Sequence, residues 1–299
     1  MFEGFSEQIV SGEGAEIFVR HAGSSATPGL LLLHGYPQTS AMWHRMAPSL
    51  TSDYHVVCAD LRGYGRSGKP KSDEEHTPYS KRSMARDMIA VMKHFGHERF
   101  FVGAHDRGAR VAHRMVLDFE ASVDALVVLD IAPTREMYRD ADARFATAYW
   151  HWFFLTQPHP IPERMISLDP KDYWKLKCFN QAKGTNPFSD EALAEYLEAF
   201  STEAAIHASC EDYRAAATID IQHDNDDGDR KFSTPTLALW AQRGAINTCF
   251  DALALWRERG SRVEGEMLDA SHYMAEEIPD DIVKRMDDFF KRNNGMEAV

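Results

Sequence analysis

Short apolar segments recur along this chain and alternate with helical patterns, and this alternation limits the possible folds more than any other feature. Several segments are apolar at consecutive positions, which is typical of strands whose two faces are both covered by helices. The segments are Leu30–Leu33, His55–Ala59, Phe100–Ala104, Ala125–Leu129, Thr236–Trp240 and Val263–Leu268. They predict an α/β protein with a doubly wound or related, mostly parallel sheet.

The alternation stops between residues 135 and 232, where the chain is rich in aromatic residues and helical in pattern. Strand patterning returns only at Thr236. A segment of roughly 100 residues between two strands is too long for a loop, so we expect a small helical domain. The predicted organisation is a core over residues 1–134 and 233–299, interrupted by a helical cap over residues 135–232.

An acidic tract, Asp224–Asp229, lies near the end of the predicted cap and has a superficial likeness to a calcium loop. The required spacing is absent: counted back from Gly228, the first ligand position is His223, and no Glu follows at the required distance. We interpret the tract as a solvated acidic linker and predict no metal site.

Charge and cysteine content limit the partners and the location. Lys and Arg number 33 and Asp and Glu number 46, which gives a net charge of −13. Such a surface repels nucleic acids and anionic membranes, and an anionic substrate would need its own local cations. The four cysteines have neither zinc-binding nor redox spacing, and no apolar run approaches the about 20 residues of a membrane span. We expect free thiols, no signal peptide and a cytoplasmic location.

The segment Phe100–Arg110, which reads FFVGAHDRGAR, is the most informative for chemistry. A strand runs into a small-x-Asp-x-small turn and then into a helical pattern, as in a nucleophile elbow. Asp106 stands at the apex, where esterases and lipases have Ser. The structural alternative is that Asp106 is an ordinary helix N-cap.

Three further positions suit the partners of such a nucleophile. The Gly-containing turn after Leu33 can direct the backbone N–H of Tyr36, together with that of Arg107, as an oxyanion hole. His272 follows the last predicted strand and suits the base of a triad. Asp130 directly follows another strand and is assigned as the acid of the triad, with Asp251 in reserve.

These residues together carry a family resemblance over nearly the whole chain. The motifs HGYP at 34–37 and DLRGYGRS at 60–67, the elbow and His272 resemble the α/β-hydrolase superfamily, in its dehalogenase and epoxide-hydrolase branch. The motifs HDRGAR at 105–110, YWHW at 149–152 and CEDYR at 210–214 resemble the fluoroacetate (haloacetate) dehalogenases. The resemblance implies an α/β-hydrolase core with an inserted helical cap. The sequence departs from the pattern at Ala104 and in the segment Cys178 to Asn186, which bears on halide and chain-length preference.

The resemblance also implies a reaction and roles for named residues. The reaction is hydrolysis of a short 2-haloacid, such as haloacetate, to glycolate and a halide ion, without metal or cofactor and in a homodimer. Asp106 is the nucleophile, and His272 is the base that Asp130 orients. The remaining roles are substrate-carboxylate binding by Arg107 and Arg110, and halide binding by His151, Trp152 and Tyr213.

The residue types suit these roles. Arg107 and Arg110 stand three positions apart at a helix start, so they can share one face and bind a carboxylate. His151, Trp152 and Tyr213 all offer donors to a departing halide. The structural alternatives are surface salt bridges for the arginines and simple packing for the aromatic residues.

Other activities compete with this interpretation. An epoxide hydrolase uses the same Asp and His residues, but this branch usually has Trp after the nucleophile. Arg107 at that position, together with Arg110, favours an acid substrate, and it disfavours a haloalkane dehalogenase for the same reason. A non-enzymatic small-molecule receptor on the same fold is the alternative from another class.

Overall fold

A single eight-stranded sheet forms the centre of the protein, in the strand order β1-β2-β4-β3-β5-β6-β7-β8. The computed structural model describes residues 1–294. β1 pairs antiparallel with β2 and β2 with β4, whereas the strands from β4 to β8 are parallel. The strands are β1 (Ser6–Ser11), β2 (Glu16–Ala22), β3 (Gly29–Leu33), β4 (His55–Ala59), β5 (Phe100–His105), β6 (Val123–Leu129), β7 (Thr236–Ala241) and β8 (Val263–Leu268).

The predicted fold class is confirmed. Every predicted strand is present, as β3 to β8, and all residues of β3, β4 and β5 are buried. The sequence did not predict β1 and β2. In β1 only Val10 is buried, so this edge strand lacks the apolar run that marks the central strands.

Helices that precede and follow the inserted segment in the chain cover the sheet. α2 begins at an N-cap, Ser80, whose side chain accepts from the backbone N–H of Ser83. α2 packs against α3, and α15 packs against β6. Before β6 the helices are α1 (Ala47–Leu50), α2 (Lys81–His94) and α3 (Asp106–Asp118), with 3₁₀ turns at Ser40–Trp43 and Thr77–Tyr79; a further 3₁₀ turn lies at Glu120–Ser122.

Between β6 and β7 the chain is helical. Its interior is aromatic: Trp174 stacks on Tyr196 and meets Phe188 edge to face. The helices are α4 (Thr134–Arg139), α5 (Ala143–Ala148), α6 (Trp150–Leu155), α7 (Ile161–Ile166), α8 (Pro170–Gln181), α9 (Asp190–Phe200), α10 (Glu203–Ala217) and α11 (Ile219–Asp226). We call this segment the cap; its boundaries at 135 and 232 stay predictions.

After the cap, the chain returns to the sheet and covers its other edge. The Trp256 indole N–H donates to the Ile131 carbonyl oxygen at 2.9 Å, which joins α13 to the end of β6. The helices are α12 (Ala245–Cys249), α13 (Ala252–Arg259), α14 (Met274–Glu277) and α15 (Pro279–Asn293).

The acidic tract differs from its prediction. Asp224 lies in α11 and is buried, and Asp227 forms an ion pair with Arg114 of α3. The interpretation as a solvated linker is therefore wrong for these two residues. Arg114 is buried and pairs with the Asp227 carboxylate, which joins the end of the cap to α3.

Two further findings concern the bulk properties of the chain. Cys58, Cys178, Cys210 and Cys249 all carry free thiols. Within residues 1–294, the helices are too short or too polar for any of them to cross a membrane.

Candidate active site

Asp106 lies on a strained turn between β5 and α3. Its φ of 44° falls in the left-handed region, which costs a non-glycine residue free energy. A Cβ on Gly108 would lie 2.5 Å from the His34 carbonyl oxygen, and a Cβ on Gly35 would lie 2.5 Å from the Asp106 Cβ. Only glycine fits at either position without a shift, so the turn has the shape of a nucleophile elbow. The N-cap of α3 is His105, which makes the alternative interpretation of Asp106 wrong.

The Asp106 carboxylate is buried and ionised. Its Oδ1 accepts a hydrogen bond from the Tyr36 backbone N–H at 2.9 Å. Burial by itself raises the pKa of this carboxyl, but the imidazole of His272, then that of His105 and the guanidinium groups of Arg110 and Arg107, outweigh burial. The net pKa lies well below the usual range of an aspartate, so Asp106 holds the negative charge that a nucleophile needs.

His272 and Asp130 come together as the sequence predicts. His272 Nδ1 lies 2.7 Å from Asp130 Oδ2, and both side chains are buried. The other carboxylate oxygen of Asp130 accepts from the Ala241 backbone N–H at 2.9 Å, which fixes its orientation. The reserve candidate, Asp251, instead caps α13 by accepting from the Ala254 N–H at 3.0 Å.

Arg107 is held in place by a carboxylate of the cap. Its Nε and Nη2 donate to the two carboxylate oxygens of Asp212, at 2.9 and 2.8 Å. Its guanidinium lies 4.1 Å from the centre of the Tyr213 ring. Asp212 also binds Lys81 and accepts from the Tyr64 hydroxyl at 2.5 Å. The Nη1 amino group of Arg107 is buried and has no hydrogen-bond partner among residues 1–294.

Arg110 forms its hydrogen bonds with neutral groups. Its Nη1 donates to the Ala132 carbonyl oxygen at 3.1 Å and to Thr134 Oγ1 at 2.9 Å, and Nη2 lies 3.4 Å from Met137 Sδ. Its guanidinium packs 4.5 Å from the centre of the Trp152 ring, and its Nε is buried and has no hydrogen-bond partner within residues 1–294. Arg107 and Arg110 are both buried, so the alternative of surface salt bridges is wrong.

The three predicted halide donors meet inside the cap. The ring centres of His151 and Tyr213 are 5.9 Å apart, and those of Trp152 and Tyr213 are 6.4 Å apart. All three side chains are buried. The Trp152 indole N–H and the Tyr213 hydroxyl are buried, and neither has a hydrogen-bond partner in the described part of the chain. A buried donor without an acceptor is costly, which is typical of a site that receives an acceptor from outside.

Sequence reasoning missed two residues of this site. Asp212, which orients Arg107, stands in the CEDYR motif but received no role. Lys177 of α8 is buried, donates to the Tyr36 carbonyl oxygen at 3.1 Å and lies 4.9 Å from the centre of the Tyr36 ring. Burial lowers the pKa of its ammonium. No sequence motif identifies Lys177, because it reaches the site only through the packing of α8 over the turn that contains Tyr36.

A cleft reaches His272 from the surface. It is lined by His272 and by Tyr149, Gln181, Lys183 and Arg243, among others. Lys183 and Arg243 place two cationic side chains at this cleft, and Arg243 also forms ion pairs with acidic residues. Deeper in the site, the buried guanidinium and indole N–H groups that have no partner within residues 1–294 are donors, so this part of the site suits an anionic ligand.

Comparisons with known proteins agree with the geometry. The model of the alpha/beta hydrolase fold family matches residues 28–279. A fluoroacetate dehalogenase from Burkholderia sp is 41% identical over 290 residues, which cover 97% of this chain and 95% of the relative. A soluble epoxide hydrolase from Corynebacterium sp. (strain C12) is 30% identical over 265 residues, which cover 87% of this chain and 89% of the relative.

Solved structures show the same fold over nearly the full length. A provisionally named α/β hydrolase from Nostoc sp PCC 7120 superposes with a TM-score of 0.95 at 49% identity, covering 97% of this chain and 99% of that one. A mutant of a provisionally named epoxide hydrolase from Pseudomonas aeruginosa, with bound MFA, superposes with a TM-score of 0.92 at 39% identity, covering 98% of each chain. The chain therefore belongs to the α/β-hydrolase fold family, in the group of enzymes that includes a fluoroacetate dehalogenase and soluble epoxide hydrolases.

Proposed function

We propose that the protein hydrolyses short 2-haloacids, with fluoroacetate or another haloacetate giving glycolate and a halide ion. One observation carries this proposal: four buried N–H or O–H donors have no acceptor within residues 1–294, and two of them belong to arginines that lower the pKa of the ionised Asp106. Two of them, Arg107 Nη1 and Arg110 Nε, suit a carboxylate. The other two, Trp152 Nε1 and the Tyr213 hydroxyl, suit a departing halide. The similarity to the Burkholderia fluoroacetate dehalogenase supports the same chemistry.

In the first step, the Asp106 carboxylate attacks the carbon that bears the halogen. A carbon–oxygen bond forms as the carbon–halogen bond breaks, and the halide leaves with the electron pair. The product is an ester of Asp106 with glycolate. Fluoride is a poor leaving group, so His151, Trp152 and Tyr213 assist the step by donating to its developing charge.

In the second step, His272 removes a proton from water, and the oxygen adds to the carbonyl carbon of the Asp106 ester. The N–H groups of Tyr36 and Arg107 stabilise the oxyanion. Tyr36 already binds Asp106 Oδ1. The intermediate then collapses, and glycolate leaves with the proton from the imidazolium. The Asp106 carboxyl group keeps the second proton of the water and releases it to solvent, which restores the carboxylate. Asp130 stabilises the imidazolium, to which its carboxylate lies 2.7 Å away.

This route explains why the apex residue is Asp. Attack by a serine would form an ether. An ether contains no carbonyl group to which water could add, so the enzyme would not be regenerated. The ester of Asp106 has a carbonyl that faces the oxyanion turn. The residue at the apex therefore decides between carbonyl hydrolysis and displacement at a saturated carbon.

Epoxide hydrolysis is the second candidate, because the Corynebacterium relative bears that name and Tyr213 offers a free hydroxyl to an epoxide oxygen. The two activities differ in whether the substrate carries a charge that Arg107 and Arg110 can bind. A neutral epoxide gives these cations no partner, whereas a haloacid does. A haloalkane, which is also neutral, is disfavoured for the same reason.

The direct test compares products from separate substrates. We expect fluoride release from fluoroacetate, measured by ion chromatography, and no diol from styrene oxide. Diol without fluoride would support the epoxide hydrolase, and binding without any product would support a receptor. Chloroacetate and bromoacetate in the same assay give the halogen preference.

The covalent step has its own test. In a single turnover in heavy-oxygen water, the label should enter the carboxyl group of Asp106, and the glycolate should stay light. Heavy glycolate from the first turnover would mean that water attacks the carbon directly.

We further propose a cytoplasmic homodimer that takes a small anionic substrate and binds neither nucleic acid nor membrane. The free thiols and the net charge of −13 support the location and the excluded partners. The dimer is proposed from the family resemblance. Light scattering after size-exclusion chromatography gives the mass in solution, and a mass of about 34 kDa would contradict the dimer, since one chain has a mass of 33.9 kDa.

A further inference from the structure

The outer part of the cap holds a cluster of two histidines and a glutamate that the proposed reaction does not use. His159 precedes α7, Glu163 lies in α7 and His207 lies in α10. One possible ligand atom from each of the three residues lies within 4.8 Å of the other two. We call these residues the His-Glu cluster. His159 and Glu163 are four positions apart, whereas His207 lies 44 positions from Glu163, so the packing of α10 against α7 completes the cluster.

The distances within the His-Glu cluster match the edges of a metal coordination shell. His159 Nδ1 lies 3.3 Å from Glu163 Oε1, and His207 Nδ1 lies 3.0 Å from the same oxygen. In tetrahedral zinc sites the bonds are about 2.0–2.1 Å long, which separates neighbouring ligand atoms by about 3.4 Å. The two imidazoles meet edge to face, with ring centres 5.3 Å apart. Small side-chain rotations therefore suffice to place one ion between the three ligand atoms.

Arg214 fixes the carboxylate of the cluster. It donates from Nη1 to Glu163 Oε1 at 2.7 Å and from Nη2 to Oε2 at 3.2 Å, and also binds Glu211 and the Gln157 carbonyl oxygen. Hydrogen bonds of this kind orient ligating carboxylates in metal sites.

The same arginine limits the strength of the site. Its positive charge opposes a cation at Oε1 of Glu163. When an ion binds at Oε1, Arg214 therefore has to give up that oxygen and keep its bonds to Oε2 and to its other partners. The histidines remain accessible, since the side chains of His159 and His207 are 63% and 42% exposed. Water can complete the coordination shell from the solvent side. These features fit a reversible site of moderate affinity rather than a closed structural zinc site.

We propose that His159, Glu163 and His207 bind one divalent transition-metal ion of the zinc class through two imidazole nitrogens and one carboxylate oxygen. Imidazole and carboxylate ligands select zinc, copper or nickel over calcium and magnesium. The ion joins the turn before α7 to α10, so it stabilises the cap. It has no part in the proposed reaction, and the proposal does not depend on that reaction.

The test is a titration of the full-length, chelator-treated protein with Zn²⁺ by calorimetry, and with Co²⁺ by visible absorption. We expect one equivalent to bind, with Co²⁺ giving the absorption bands of a protein-bound ion, and the melting temperature to rise when Zn²⁺ is present. His159→Gln and His207→Gln each remove one ligand and should weaken binding by more than about tenfold. His94→Gln, at an exposed histidine on α2, is the matched control and should bind as the wild type does.

Each other outcome overturns the proposal. Binding that both ligand variants retain means that the ion sits on other surface histidines. The absence of any binding means that the cluster is only a set of ion pairs between Glu163, protonated histidines and Arg214. Both variants change exposed side chains, and matching circular dichroism spectra establish that a loss of binding is not a loss of fold.

Discussion

Replacement of Tyr213 by Phe isolates the contribution of a single hydrogen-bond donor. The Tyr213 side chain is fully buried, and its hydroxyl has no partner among the described residues. Its ring packs 4.1 Å below the guanidinium of Arg107. Phe keeps the ring and this contact and removes only the hydroxyl. We therefore expect no loss of stability, because no hydrogen bond of the free enzyme is broken.

The effect on catalysis follows from what the hydroxyl meets in the transition state. A hydrogen bond to a charged group contributes about 1.5–3 kcal/mol. At about 1.4 kcal/mol per factor of ten, Tyr213→Phe should lower kcat for fluoroacetate by about tenfold to about a hundredfold. The loss should be smaller for bromoacetate, because bromide is a weaker hydrogen-bond acceptor and a better leaving group. The ratio of the two losses is the informative quantity.

The assay is halide release by ion chromatography under saturating substrate, with the melting temperature measured in parallel. Tyr54→Phe is the control: its hydroxyl binds Asp287 at 3.0 Å and its ring packs against Phe101, away from the site. The control should keep its kcat. An equal loss for both halogens, or an unchanged kcat in Tyr213→Phe, would refute the assignment of this hydroxyl to the halide.

Three further predictions test other parts of the site. His272→Asn should stop hydrolysis but not attack, so mass spectrometry after exposure to fluoroacetate should find a carboxymethyl group on Asp106; an unmodified protein would contradict the ester intermediate. Arg110→Met should lower kcat/KM for fluoroacetate by about tenfold to about a hundredfold, the value of a charged hydrogen bond, and leave the neutral fluoroacetamide nearly unaffected; equal losses would remove Arg110 from carboxylate binding. Glu276→Gln removes a carboxyl whose pKa burial raises from 4.5 to about 8, despite opposing hydrogen bonds. Because the folded protein binds this proton more tightly, wild-type stability should fall as pH rises between these values, and urea denaturation at several pH values should show a flatter profile in the variant; parallel profiles would refute it.

The sequence predicted the parts of this site that local pattern determines. The turn at Asp106 has a φ of 44°, and a Cβ added to Gly108 or Gly35 would lie 2.5 Å from a neighbouring atom. These local limits explain the small residues that mark the turn in the sequence. Asp130 could be assigned because an acid directly after a buried strand reaches the carboxyl edge of the sheet. Each inference needed only one strand and the residues beside it.

The residues that the sequence did not predict depend on contacts between distant elements. Lys177 binds the Tyr36 carbonyl oxygen across 141 positions, and Asp212 binds Arg107 across 105. The acidic tract was misjudged for the same reason, since the buried arginine that attracts Asp227 lies in another helix. Composition makes a run of acids look solvated, and only the packing of the cap on α3 shows otherwise.

Arg107 and Arg110, the two proposed carboxylate-binding residues, differ in the charged groups around them. Arg107 and Lys81 share Asp212, and Lys81 also lies 3.3 Å from Asp220, so these two cations meet two carboxylates. The described hydrogen-bond acceptors of Arg110 are a carbonyl oxygen, a hydroxyl and a thioether, none of which carries charge. Arg110 interacts electrostatically with the Asp106 carboxylate instead. Under the proposed function, this arginine and the buried Lys177 supply the positive charge that attracts a haloacid in a molecule of net charge −13. Arg107, fixed by the cap, adds a directed N–H rather than net charge, and so makes the geometry of the site depend on the cap and the core together.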